Sequence, residues 1–362
     1  MSAAEAVEVV LAHPSAPLGA VAGIASAHEN SVSAGGSASL DGRTVTTETA
    51  FDLASVTKVA ATTTMILRLV AQGALALDDT VARVLPGTSC APETTMRDLL
   101  QHRAGLWEWQ PLYLFDDAAS STIDALPLRY PPGHERHYSD LGFMLLGRII
   151  ARVVGTSLDA AFESLVAKPL GLSRTGFGRA VGPVAASALG DAAERRMVET
   201  GKPYPVLTPR RDFPWREHEI VGDVDDGNCA HEFDGVAGHA GLFSTVGDLL
   251  ALGSALARPH EHPELWSVES IAEFFRDGPD PGQALGWRSA RVHVDGRPER
   301  MLWHPGFTGC AFGVIPGAGA SIVLLTNRLF AADPVTTEVL WRAALPEILG
   351  PQGRPDEGTR TP

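Results

Sequence analysis

Phe51-Asp52-Leu53-Ala54-Ser55-Val56-Thr57-Lys58-Val59-Ala60-Ala61-Thr62-Thr63-Thr64-Met65-Ile66-Leu67-Arg68-Leu69-Val70-Ala71-Gln72-Gly73 is the stretch around which the chain is organised. Small and apolar residues follow Ser55 on every side, which suits a helix buried all round, and Gly73 supplies a C-terminal stop. Ser55 then stands at the N-terminus of that helix, where unpaired backbone N–H groups and the helix dipole favour negative charge. Lys58 follows three residues on and shares the serine's face.

That pairing has a chemical use. A serine hydroxyl is a weak nucleophile until a base takes its proton, and a lysine whose pKa is lowered by burial can be that base. An N-cap serine ahead of an ordinary helix lysine has the same spacing, so Ser-x-x-Lys alone does not decide. Composition tips the balance. Of 29 lysines and arginines only Lys58, Lys168 and Lys202 are lysine. Arginine cannot be deprotonated in proteins, so a lysine inside an apolar helix reads as chosen for titration.

The 362 residues suffice for one large domain or two lobes. A net charge of −14 argues against nucleic acid and anionic membranes as partners. Cys90, Cys229 and Cys310 are odd in number and scattered, so neither a disulfide framework nor a metal site is expected, and a reducing compartment fits. The first eight residues carry acids and no base, so no signal peptide is read. Residues 18–27 are apolar but too short to span a bilayer. A cytoplasmic protein without cofactor or metal is expected.

Outward from Ser55, residues 3–12 read as a short amphipathic helix, and 19–27, 31–40 and 44–47 as strands. Residues 95–102 read as a helix ending before Gly105. Trp107, Trp109, Tyr113 and Phe115 then cluster. Such a cluster is ordinarily core, but on a loop it can wall a substrate site. A second constellation, Pro131-Pro132-Gly133-His134-Glu135-Arg136-His137-Tyr138-Ser139-Asp140-Leu141-Gly142-Phe143, runs from a loop into an apolar helix over 143–154. Tyr138 stands at the junction. A tyrosine there can relay protons when a cation lowers its pKa, or simply anchor the loop. His134 and His137 lack a third ligand at metal spacing. A further helix is read over 157–168.

Residues 180–235 read as charged loop. They include Arg210-Arg211-Asp212 and Asp223-Val224-Asp225-Asp226, and the aspartates read as a solvated turn because EF-hand spacing is absent. Thr245 and Asp248 read as a capping box for a helix over 246–257, and 267–275 as another helix. Short strands are expected at 285–287, 291–294, 301–304, 310–315 and 321–326, then a helix over 333–349 and a disordered tail at 351–362. The third constellation is Trp303-His304-Pro305-Gly306-Phe307-Thr308-Gly309. Proline in a strand implies an edge, where an N–H near Gly306 or Phe307 can share an oxyanion with the N–H of Ser55.

Ser55-Val56-Thr57-Lys58, Tyr138-Ser139-Asp140 and His304-Pro305-Gly306 resemble, in order and approximate spacing, the three motifs of the serine β-lactamase and penicillin-binding-protein superfamily. The chain looks most like the branch of class C β-lactamases, DD-carboxypeptidases and family VIII esterases. Segments 99–106, 238–245 and 323–328 look familial too. The resemblance implies an α+β fold: an antiparallel sheet from residues 1–60 and 250–350, flanked by helices, with a mostly helical lobe, 61–249, inserted. It implies that Ser55 is the nucleophile and forms an acyl-enzyme, and that Lys58 and Tyr138 shuttle its proton. The N–H groups of Ser55 and Phe307 would form the oxyanion hole. His304 stands where many relatives have lysine, and would hold Tyr138 or contact substrate.

Two departures matter. Lys-Thr-Gly has become His304-Pro305-Gly306, which removes a permanent cation and a hydroxyl. Tyr-x-Asn has become Tyr138-Ser139-Asp140, and an ionised carboxylate only accepts hydrogen bonds. Asp140 is therefore expected to favour substrates bearing an amine, with Gly306, Trp107 and Trp109 completing the substrate side. The expectation is a serine hydrolase of a small ester or amide. A β-lactamase or D-amino-acid peptidase/DD-carboxypeptidase is the enzyme alternative, and a non-catalytic penicillin-binding sensor the alternative outside enzymes. Oligomeric state is not fixed by the sequence.

Overall fold

The computed structural model describes residues 2–178, 180, 182–207, 212–350 and 353. The expected tail, apart from Gly353, and Arg210-Arg211 lie outside the described residues. A six-stranded antiparallel sheet joins the two ends of the chain, in the order Asn30–Gly36, Gly19–Ala25, Ala320–Thr326, Ala311–Ile315, Arg297–Pro305, Arg288–Val294. Alternation builds its two faces. Ala320, Ile322 and Leu324 pack with Val7, Trp341 and Leu345 from the helices Ala3–Leu11 and Thr337–Leu349. Val323 and Leu325, one residue out of step, join the larger core with Leu249 and Leu252 of the helix Val246–Ala257. With both faces covered, the strand Ala320–Thr326 is buried throughout, and its continuous apolar run follows from that.

The larger core continues into the middle of the chain. There the helical run beginning at Ser55 packs among Leu99, Phe143, Leu146, Phe162 and Trp266. By length and composition Ala54–Ala71 could cross a membrane, but 83% of that window is buried inside the protein. It is the core helix.

Several expected elements differ. Thr44 makes a single bridge to Ser37 in place of a strand over 44–47, and the strand expected at 285–287 begins only at Arg288. Residues 180–235 hold paired strands Ala186–Leu189 and Glu219–Val221 and helices Ala192–Thr200 and Gly227–Glu232. The strands are too short for alternation to register, and Ala192–Thr200 is polar with no fully buried residue, Glu194 being half-buried where it lines a cavity. Pro305 does not mark an edge strand, since Arg297–Pro305 lies between two others. Its outer neighbour pairs only as far as Arg288 opposite Trp303. His304 and Pro305 therefore have a partner on one side alone, which is where a missing N–H is tolerated.

Candidate active site

Ser55 sits in a single 3-10 turn, Ala54–Val56. Asp52 shapes that turn by accepting the Ala54 N–H at 2.8 Å. Ala54 is held at φ +44°, a region costly for a residue with a Cβ. The helix does not start as a regular α-helix. It is wound as a π-helix over Lys58–Thr63 and becomes α only at Thr64–Ala71. The threonines explain this: Thr64 Oγ1 donates to Val59 O at 2.8 Å and Thr62 Oγ1 to Gly238 O at 2.6 Å, so hydroxyls compete for helix and neighbouring carbonyls.

Lys58 is fully buried. Its Nζ lies 2.9 Å from Ser55 Oγ, 3.0 Å from His239 O and 2.7 Å from Asp140 Oδ1. The expectation that burial lowers its pKa is overturned. Burial acts in that direction, but the Asp140 carboxylate, with Tyr138, outweighs it and holds the ammonium above the ordinary lysine value. Asp140, expected on the substrate side, does line the cavity, and its Oδ1 is at the same time the anion beside Lys58. Asp140 opens the helix Asp140–Val154, with Ser139 as N-cap accepting from Gly142 N at 3.1 Å. A carboxylate in a first helical turn is favourably placed.

His102 sets the approach to that helix. Its carbonyl accepts from His137 N at 2.9 Å and its Nδ1 from Ser139 N at 3.0 Å, with Tyr138 between them and the two rings 4.6 Å apart. Burial, with nearby Arg136 and Lys58, pushes the His102 imidazole well below its usual pKa, as an accepting Nδ1 requires. His304 is also buried and neutral, for the same reason and because of Arg288. Its ring lies 6.1 Å from that of Tyr138. Its Nδ1 is 2.8 Å from Pro305 O, and a carbonyl only accepts, so Nδ1 carries the proton and Nε2 a lone pair.

The loop after His304 is fastened to the Ser55 turn. Thr308 Oγ1 donates to Asp52 O at 2.7 Å, and Thr337 Oγ1 to Gly306 O at 2.6 Å. A Cβ at Gly306 would come within 2.3 Å of Leu53 O, so this position serves close backbone approach and does not line the cavity. Ser55 and Phe307 both face the cavity, and neither backbone N–H has an acceptor among the described residues.

That cavity, of about 270 Å³, is lined by Ser55, Tyr138, Asp140 and Phe307. The two tryptophans part. Trp109 is in its wall. Trp107 is not: its Nε1 donates to Pro127 O at 2.9 Å and its ring lies under Arg129. The lining also includes Asp191, Glu194, Asp225 and Asp226, so Asp225-Asp226 is not a solvated turn. Asp191 is paired with Arg216 and Asp226 with His239 at 2.9 Å. Burial opposes ionisation of Asp226, but His239 draws its pKa to about 2. Burial raises Asp52 to about 6; burial and Asp52 raise Asp225 to about 7; burial, Asp226 and Asp191 raise Glu194 well above the carboxylate range.

A pH dependence follows. Groups with raised folded-state pKa values contribute stability below their unfolded values, about 4, and that contribution is lost as pH rises through the folded values. The buried neutral His102 and His304 slope the other way, gaining stability as pH rises through the unfolded imidazole value of about 6.5, so the carboxylate contribution is read as a difference: Asp225→Asn is expected to lose less melting temperature, or gain more, than wild type between about pH 5 and pH 8 in a thermal melt.

Among the described residues no group of three or more His, Cys, Asp or Glu side chains is arranged for a metal ion. Sequence reasoning missed His102 and Glu194 as site residues. His102 lay within a segment singled out as familial; nothing in the sequence marked Glu194, which reaches the cavity on an unrecognised helix.

The chain matches the Beta-lactamase family over residues 7–345. A curated relative from Salmonella paratyphi A, named "Putative D-alanyl-D-alanine carboxypeptidase", is 30% identical over 317 residues, covering 78% of this chain and 70% of the relative. The crystal structure of SurE matches with a TM-score of 0.69 at 22% identity, over 95% of this chain and 73% of that one. A class C β-lactamase from Rhodobacter sphaeroides matches with a TM-score of 0.64 at 22% identity, over 96% and 99%. At such identities these structural likenesses speak to the fold.

Proposed function

The chain belongs to the β-lactamase family of serine hydrolases, and from that premise we propose that it cleaves a small ester or amide through an acyl-enzyme on Ser55. The observation that carries this is Ser55 Oγ on the cavity wall, 2.9 Å from the Lys58 ammonium. Ser55 Oγ attacks the substrate carbonyl, and the developing oxyanion is received by the N–H groups of Ser55 and Phe307. The leaving group departs with a proton relayed by Tyr138, and water then releases the acyl group.

The choice among substrates rests on charge. Penicillins and peptides ending in D-alanine carry a carboxylate. Among the described residues no lysine or arginine lines the cavity, and His304 is neutral where a permanent cation would hold an anion. Neutral or cationic substrates are favoured accordingly. A second reading, a D-alanyl-D-alanine carboxypeptidase, is favoured by the name of the 30%-identical relative.

The test is intact-protein mass and product release with p-nitrophenyl butyrate, a penicillin and an acyl-D-Ala-D-Ala peptide. Ester turnover with at most slow penicillin adduct is the expected result. Release of D-alanine faster than of p-nitrophenol would establish the second reading instead, and a rapid, long-lived penicillin adduct on Ser55 would point to a sensor.

A further inference from the structure

We propose that Asp52 is a positioning residue: it fastens the Ser55 turn and the Phe307 loop to one point, and so sets the spacing of the two N–H groups that receive the oxyanion. This role rests on Ser55 being the nucleophile, as proposed above. Asp52 does not line the cavity, so it acts through its neighbours.

Asp52 is 2% exposed and ends the short strand Phe51–Asp52, opposite Phe243. Each of its oxygens holds a different segment. Oδ1 accepts from Ala54 N, two residues on, at 2.8 Å, which turns the chain out of the strand. Oδ2 accepts from Asp225 N at 2.7 Å. The carbonyl accepts from Thr308 Oγ1 at 2.7 Å, with Cys310 Sγ 3.3 Å from the same oxygen. The first bond holds the residue before Ser55 in its positive-φ conformation, and the carbonyl holds the residue after Phe307.

The other ties on these segments do not join them to each other. The Ser55 turn closes on itself through Val56 N to Leu53 O at 3.0 Å, and Leu53 N donates to Leu242 O at 2.9 Å. The Phe307 loop closes through Gly306 N to Cys310 O at 2.6 Å, and Thr337 Oγ1 holds Gly306 O from the C-terminal helix. Among the described residues, the hydrogen bonds between turn and loop all end on the Asp52 carbonyl. The carboxylate is an awkward choice if stability alone is at stake. Among the described residues no cation pairs with it, and burial, with the Asp226 anion, raises its pKa to about 6 against the pull of the two N–H donors. Asp225, Asp226 and Arg216 are the charged groups that face it, with the Cys229 and Cys310 thiols. What an ionised carboxylate supplies is an acceptor on each oxygen, where an amide accepts on one side and donates on the other.

The consequence for chemistry is geometric. Oxyanion donors stabilise a transition state only when they already point at the place where the charge develops. With Ser55 and Phe307 fastened to opposite sides of one residue, neither N–H can shift relative to the other without breaking a bond to Asp52. Asp52→Asn leaves one of Ala54 N and Asp225 N facing an NH₂ group, so one tie is lost. Thr308→Val frees the Phe307 loop from the carbonyl and leaves the carboxylate intact, while Thr308→Ser keeps the hydroxyl.

A transition-state analogue makes the test direct. Butylboronic acid takes Ser55 Oγ as the fourth ligand of boron and places an oxygen where the oxyanion forms, so its dissociation constant, measured by calorimetry, reports on the two donors in the folded protein. In Asp52→Asn and in Thr308→Val, kcat/KM for p-nitrophenyl butyrate is expected to fall about 10- to 100-fold, and boronic acid affinity to fall by a similar factor, with KM within about threefold of wild type. Thr308→Ser should recover most of both. A purely structural role for Asp52 would lower the melting temperature and the active fraction, and leave the boronic acid dissociation constant of the folded protein unchanged. Boronic acid affinity within about twofold of wild type in the folded variants, whatever their rates, overturns the proposal. Should Asp52→Asn not fold, the comparison of Thr308→Val with Thr308→Ser decides. Boronic acid that bound Ser55→Ala as well as wild type would defeat the nucleophile assignment itself. Binding that needs Ser55 but ignores Asp52→Asn and Thr308→Val would defeat the role of Asp52 alone, so the two failures are distinguishable.

Discussion

Alanine at Ser55 is expected to lower ester turnover by about 10⁴-fold or more while the protein melts within about 1 kcal/mol of wild type. The two halves of that expectation come from different features. The nucleophile carries the covalent step, so its loss leaves only binding and the oxyanion donors, which in hydrolases of this kind still give measurable residual catalysis. The fold loses little, because among the described residues the Ser55 side chain makes one hydrogen bond, the one it accepts from Lys58. Lys58 keeps its hydrogen bond to His239 O and its ion pair with Asp140. The turn itself is fixed elsewhere, by the Ala54–Asp52 hydrogen bond and by Thr308 on Asp52 O. Steady-state kinetics with p-nitrophenyl butyrate and a thermal melt check both halves. Retained turnover at wild-type level would remove Ser55 from the chemistry.

The same separation shows how far the sequence could be read. The buried helix after Ser55 was legible because an all-round apolar pattern has few other homes, and Lys58 stood out because lysine is so rare in this chain. The Tyr138 junction and the Gly306 loop were legible as breaks in pattern. Partnerships were not. Asp140 reads from sequence as a carboxylate on the substrate side, where it does lie, but adjacency to Tyr138 says nothing of its second contact. Only the packing of Asp140–Val154 against the Ser55 run brings it to Lys58. Burial likewise predicts a lowered lysine pKa until the anion 2.7 Å away is known. The acidic wall was invisible for a different reason. Glu194 lies on a polar helix without a buried stripe, and Asp225-Asp226 has the composition of a surface turn. Strand order explains the misread proline: whether Pro305 lies at an edge depends on how far the neighbouring strand runs, which is a long-range property.

Methionine at Lys58 is expected to produce the other large effect, on stability as well as rate. Methionine keeps much of the length and apolar stem of lysine but leaves Asp140 without its cation. Removing one partner of a buried ion pair costs about 3–5 kcal/mol, because the remaining charge stays desolvated. The Asp140 side chain is 15% exposed, so water can reach it and the lower end of that range, about 3 kcal/mol, is the expected loss. Turnover should fall by about 10³-fold, since Ser55 loses the donor and fixed charge that orient it. The double variant Lys58→Met with Asp140→Asn separates the two contributions. An amide at 140 needs no counter-charge, so most of the lost stability should return in a denaturant melt, while turnover should stay low because nothing replaces the ammonium beside Ser55. Had the pair served stability alone, the double variant would recover both. If instead Lys58→Met melted like wild type, the ion pair would be contributing nothing to the folded state, and the upward hold on Lys58 by Asp140 would lose its physical basis.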